Sequence, residues 1–336
     1  VNNMNLDRLI KQWETVGDRL DTAANKTKYL SAAAAGGLFA SAKAAMDYES
    51  AFAGVEQMVE GTDTELQQLN TDIREMALET PQSATALADI AKSAGQLGVS
   101  TPYVADFTKM VADLVSVTDL SADEGAANLA KFANIIQMDE TYYNNLGSTI
   151  LELGKSASST ETEIVDMSQR IAATGNLTGL TAAQILAIST ALSDLGIEAE
   201  AGGTAISKLL RQMQIAVATG NQDLQSFASV AGTSASEFAA AFEEDAAGAL
   251  AQFIQGLQNA EKSGESATVI LNDMGLSEVR LSNAILALTS SGDLLTQHLA
   301  TANQAWEENT ALTDTANQKY QTTAAQLQLA KNAIVA

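Results

Sequence analysis

The chain carries 41 acidic and 18 basic residues among its 336, a formal charge of −23 with no cluster of Lys or Arg, so phosphate backbones should repel it and direct nucleic-acid affinity is not expected. It has no cysteine, which removes disulfides and thiolate chemistry together. Its hydrophobic content of 46% is largely alanine, only 5% of residues are aromatic, and strand-like alternation is missing, so we expect an all-α fold: an Ala-rich multi-helix bundle with closely approaching helices.

In chain order, the first thirty residues, VNNMNLDRLIKQWETVGDRLDTAANKTKYL, are charged and amphipathic, and residues 1–45 read as amphipathic helix and linker. The chain opens at Val1 without an initiator methionine, and we expect it to be part of something longer. The most apolar stretch, YLSAAAAGGLFASAKAAM, contains Lys43 and falls short of the roughly 20 residues of a bilayer span, so no membrane span is expected.

Residues 46–290 read as a helical core domain. Thr80-Pro81 and Thr101-Pro102 suit helix starts, because proline at the first helical position gives up only an N–H that has no partner there. Ser121 with Glu124, Thr160 with Glu163, Thr181 with Gln184 and Ser234 with Glu237 fit the capping box. Behind these starts run one-sided apolar stripes at helical spacing. They comprise Leu87, Ile90, Ala91 and Ala94; Phe107, Met110, Val111 and Leu114; Leu129, Phe132, Ala133 and Ile136; Ile164, Met167 and Ile171; Ile185, Ile188 and Leu192; and Leu250, Phe253, Ile254 and Leu257. Each implies a helix of about ten to seventeen residues packed on its neighbours. Segments 89–137 and 166–213 can be laid over each other, with Gly98 on Gly175 and Lys131 on Lys208, which suggests an internal duplication.

Residues 291–336 differ. Leu299, Ala302, Trp306, Asn309, Thr313, Ala316, Tyr320, Thr323, Leu327, Ala330 and Ile334 recur at spacings of three and four with no Gly or Pro after Gly292. This predicts one long helix with a coiled-coil seam, roughly 65 Å from Asp293 to Ala336 at 1.5 Å per residue. Its apolar and small members, Leu299, Ala302, Trp306, Ala316, Tyr320, Leu327, Ala330 and Ile334, are the candidate oligomer interface, at which the chain would pair with itself.

Reactive chemistry is sparse. The single histidine, His298, beside seam position Leu299, reads as a solvated flank. Glu243, Glu244 and Asp245 end one helix where negative charge favours the start of the next. The pattern holds no zinc set, calcium loop or phosphate loop, so neither metal nor cofactor is expected. Glu49-Ser50 before Phe52 resembles the Glu-Ser signature around the general acid of lytic transglycosylases, but the Gly-Leu-Met-Gln segment of that family is missing.

The segment DYESAFAGVEQMVEGTDTELQQLNTDIREMALETPQSATALADIAKSAGQLGVS resembles the start of the core region of tail tape measure proteins of long-tailed phages and prophages. The resemblance rests on Tyr48, Glu49 and Val55, then Ile73, Arg74, Thr80 and Pro81, then Gln96 to Gly98. It continues through LTAAQILAISTALSDLGIEAEAGGTAISKLL and FASVAGTSASEFAAAFEEDAAGALAQFIQGL to ENTALTDTANQKYQTTAAQLQLAKNA. It implies a non-enzymatic virion protein of the tail lumen or tip, present in host cytoplasm during assembly. That protein sets tail length, takes part in genome ejection, forms trimers through helices and touches tail tube and tail-tip or distal tail proteins. A cellular helical adaptor and a peptidoglycan-cleaving module are the alternative readings.

Overall fold

Helices begin where a short polar side chain precedes an apolar-periodic run. The structure, a computed structural model that describes residues 28–335, forms seventeen of them among those residues and no strand. Thr160, Thr181 and Ser234 make the reciprocal capping box with Glu163, Gln184 and Glu237, and Thr62 makes a further one with Glu65. Ser121 accepts the Glu124 N–H alone. Thr80-Pro81 does not start a helix: Thr80 closes the preceding one by donating its N–H to the Met76 carbonyl, and Ser83 caps the next. Asp245, last of the three adjacent acids, caps the helix that follows by accepting the Gly248 N–H.

The first nine helices are α1 (Lys28–Met58), α2 (Asp63–Glu79), α3 (Ala84–Gln96), α4 (Val104–Val117), α5 (Ala122–Ile135), α6 (Tyr143–Ser156), α7 (Glu161–Leu177), α8 (Ala182–Asp194) and α9 (Ala199–Thr219). They form two layers. The odd helices pack side by side in chain order, and the even ones lie beneath them in the same order. α3, α5, α7 and α9 start at residues 84, 122, 161 and 199, and α4, α6 and α8 at 104, 143 and 182, so the helix pair recurs every 38 or 39 residues. The two segments that overlay in sequence therefore stand two periods apart. The turn recurs as well. At Gly98, Gln137 and Gly179 the backbone is left-handed, and the next N–H reaches back to Ala94, Ala133 or Gly175, the Schellman closure.

Small residues set the spacing. A Cβ on Gly95 would lie 2.5 Å from Val59 Cγ2 and 2.9 Å from the Met58 carbonyl, so α1 and α3 meet nearly backbone to backbone. Ala88, Ala91 and Ala94 on the same helix are fully buried. After α9 come α10 (Gln222–Ala231), α11 (Ala235–Glu244), α12 (Ala246–Lys262), α13 (Ala267–Asp273) and α14 (Val279–Ser290). Phe227, Phe238 and Phe253 pack there, with Phe227 edge-on to Phe253 at 5.3 Å and stacked on Phe238 at 6.1 Å. α14 returns to lie against α9.

The expected single C-terminal helix is corrected. The segment forms α15 (Leu294–Glu308), α16 (Ala311–Tyr320) and α17 (Thr323–Val335), broken at Asn309, which is left-handed at φ 50°, and at residues 321–322. These three fold back as a third layer: α15 lies on α8 and α6, α16 on α6 and α4, and α17 on α2 and α1. Tertiary partners that local sequence cannot reveal supply the physical reason for the break, as set out below. The expected N-terminal segment lies outside the described residues up to residue 27.

Candidate interaction surfaces

The strap formed by α15–α17 is held to the even layer by polar contacts spaced along its length. His298 Nε2 lies 3.2 Å from Asp194 Oδ2 on α8, and both side chains are buried, so His298 is an internal partner and not the solvated flank expected of it. Its burial follows from its place one turn before Ala302, which is fully buried on the same face. Burial pushes the Asp194 carboxyl up, but the Ser158 N–H at 2.6 Å and the hydrogen bond with His298 outweigh it and hold the group below the usual carboxylate range.

At the first break, α6 supplies the missing partners. Asn145 donates to the Trp306 carbonyl at 2.7 Å, Asn144 donates to the Asn309 carbonyl and side-chain oxygen, and Ser148 Oγ accepts the Leu312 N–H. Gly147 makes room for this contact, since a Cβ there would stand 2.6 Å from Leu312 Cδ2. Further along, Tyr320 donates to Asp113 Oδ1 at 2.6 Å, and Lys109 Nζ sits within 2.8 Å of both Asp113 oxygens. Burial, followed by the Asp113 charge, raises the Tyr320 hydroxyl far above its ordinary value, which keeps it a donor. On α17, Asn332 donates to the carbonyls of Ala77, Thr80 and Gln82 at the end of α2.

The candidate seam residues scatter accordingly. Ala302, Ala316 and Tyr320 are buried against the chain's own even layer, and Leu299 and Trp306 are partly buried. Leu327 and Ala330 are exposed, and the side chain of Ile334 lies outside the described set. No single stripe joins them in this arrangement.

A second surface is the edge where the C-termini of α3, α5, α7 and α9 stand together. Asn134 donates to the Leu97 carbonyl, Asn176 to that of Ile135 at 3.1 Å and Gln214 to that of Leu177 at 2.7 Å, a ladder of side-chain amides each bridging one odd helix to the next. Beside each rung stands an exposed aliphatic residue: Ile135 at 39%, Leu177 at 73% and Ile215 at 47%. Reading the sequence missed both features. A polar amide followed by an aliphatic residue near each helix end, at the period of the pairs, is the signal that carries them.

An open cleft of about 490 Å³ lies between the turns before α4 and α6, lined by Ser100, Tyr103, Asn134, Gln137, Glu140 and Tyr143. Its one inward carboxylate, Glu140, already accepts the Ser100 N–H at 2.7 Å, the Ser100 hydroxyl and the Tyr143 hydroxyl. Glu49 is exposed on α1, without the apolar enclosure that a proton-donating carboxylic acid needs. Among the described residues no group of three or more His, Cys, Asp or Glu side chains is placed to hold a metal ion, and no helix is long and apolar enough to cross a membrane. What the arrangement offers is contact surface.

Residues 70–271 match the family model of phage-related minor tail proteins. The match runs from within α2 into α13, so it takes in the recurring helix pairs and the aromatic cluster and stops short of the strap. No curated protein and no solved structure matches the chain.

Proposed function

Because the chain belongs to the phage-related minor tail protein family, a structural, virion-associated family of the tail, we propose that it is the folded helical part of a tape measure protein. In this reading the parent protein sets tail length during assembly and takes part in genome ejection. The present segment sits in the tail lumen or at the tip, docked on tube or distal tail proteins, and is not the measuring rod.

One observation carries the distinction. In the layered stack 38 or 39 residues advance the body by only one helix pair, about 10 Å at ordinary interaxial spacing. The same residues as continuous helix would advance about 58 Å. A ruler needs the second ratio, and residues 28–335 are built on the first. The exposed aliphatic edge and the absence of any enclosed polar site among the described residues also favour a docking role.

The test removes one pair, residues 122–160, in frame from the complete phage gene and measures tails by electron microscopy. Tails of unchanged length, or no tails at all, are expected. Tails uniformly shorter by about 58 Å would make the stack itself the ruler and overturn the assignment.

A further inference from the structure

We propose that residues 293–336 have two arrangements, and that the broken strap seen here conceals a self-association surface whose partner is the same segment of a second copy of this chain. The inference rests on the helix geometry alone and not on the tail role, so failure of the tail-length test leaves it untouched.

The argument starts at the break. A helix running through Asn309 would pair the Trp306 carbonyl with the Thr310 N–H, and the Leu312 N–H with the Glu308 carbonyl. In the structure those two groups are paired instead with Asn145 and Ser148 of α6, and the Asn309 carbonyl with Asn144. Positions 144, 145 and 148 share one face of α6, which thus acts as a splint for a helix that has come apart. The second break is patched by the strap itself, with Gln326 donating to the Tyr320 carbonyl at 2.8 Å and Thr322 accepting the Ala325 N–H.

Nothing in the local sequence demands either break. No Gly or Pro follows Gly292, and Asn309 adopts a left-handed conformation that a non-glycine residue holds only when its surroundings favour it. The run of three- and four-residue spacings from Leu299 to Ile334 passes through both breaks without a slip, and only an unbroken helix lines it up on one side. In the folded-back state that run is of no use as a stripe: part of it faces the even layer and part of it faces solvent. The seam's continuity is thus explained by a state in which the splint is released, the helix closes through residues 309–312 and the stripe meets its copy. Asn and Thr at several seam positions would fix register between copies.

The test uses the whole chain. Because it has no cysteine, spin labels placed by Asn303→Cys and Ala333→Cys, both at exposed positions, attach nowhere else. A continuous helix sets the two label sites about 45 Å apart. Asn309→Leu opposes the left-handed turn without touching α6, and Asn145→Ala removes part of the splint. Each should raise the 45 Å population several-fold in pulsed electron resonance, and sedimentation should then give a mass that climbs with concentration. Asn309→Gly, which favours the turn, should leave both readings at wild type. If Asn145→Ala fails to fold, Asn309→Leu decides alone. Unchanged distance in Asn309→Leu, or a 45 Å population in a chain that stays monomeric, overturns the proposal.

Discussion

The helices from Ala84 to Lys262 and the helices after Asp293 draw on the same small side chains, yet they are secured by different forces. In the recurring pairs contact is made by apolar stripes and by glycines that let backbones meet, and polar groups serve mainly at helix ends. In the strap, α16 contributes only Leu312, Ala316 and Tyr320 as buried side chains, and position is fixed by single hydrogen bonds to Asn144, Asn145, Ser148, Asp113 and Asp194. Apolar contact at close approach is spread over many atoms and fails all together. Polar contact at intervals can be undone one bond at a time, which is why the strap is the part that can change partners.

The sharpest way to break the comparison is to put one methyl group into the close-packed part. A Cβ on Gly256 would overlap the Val230 carbonyl, so α10 and α12 must separate to admit it. Backbone cannot yield as a flexible side chain does, and we expect Gly256→Ala to lose about 3 kcal/mol in urea unfolding, the upper part of the range for overpacking. A loss below about 1 kcal/mol would mean that this region is as loosely held as the strap.

The next effect belongs to the strap. Tyr320→Phe keeps the ring and leaves the buried Asp113 with Lys109 alone. A hydrogen bond to a charged group contributes about 2 kcal/mol. That loss should appear in hydrogen exchange of α16 and α17 amides while α7 and α8 keep their protection. Equal loss in all four helices would show that the strap does not open by itself.

The same contrast explains which features could be read from sequence. Capping pairs such as Thr181 with Gln184 and stripes such as Ile185, Ile188 and Leu192 act within one helix, so their spacing reveals them. The amide ladder pairs residues 37 to 41 apart across separate helices, and nothing local marks Asn134, Asn176 or Gln214 as its rungs. The overlay at 77 residues shows two periods where the structure has a period of 38 or 39, because alternate pairs match better in sequence than adjacent ones do. The C-terminal break was illegible for a plainer reason: Asn144, Asn145 and Ser148, which stabilise it, lie more than 150 residues upstream. His298 was misplaced with it, since a helix expected to stand alone has no inner face on which to bury an imidazole.

The smallest effect separates the regions by pH. Asp194, held below the ordinary 3.8, stabilises the α8–α15 contact above that value and ceases to do so as pH falls through its folded-state pKa. Glu161, at the start of α7, is shifted the other way, its pKa raised above 4.5 chiefly by burial. Its ionised form opposes folding, so the α6–α7 junction is weakened as pH rises through that raised value and strengthened as pH falls. Acidification from about pH 6 to pH 3 should therefore first raise protection at the α6–α7 junction and then lower it in α15, beginning near the ordinary carboxylate range. Hydrogen exchange corrected for intrinsic rates would follow both, and Asp194→Asn should remove the acid loss in α15 while leaving the gain at α6–α7. If both regions lost protection together, at one pH and in both proteins, the strap and the helix pairs would be a single cooperative unit and the distinction between them would not survive.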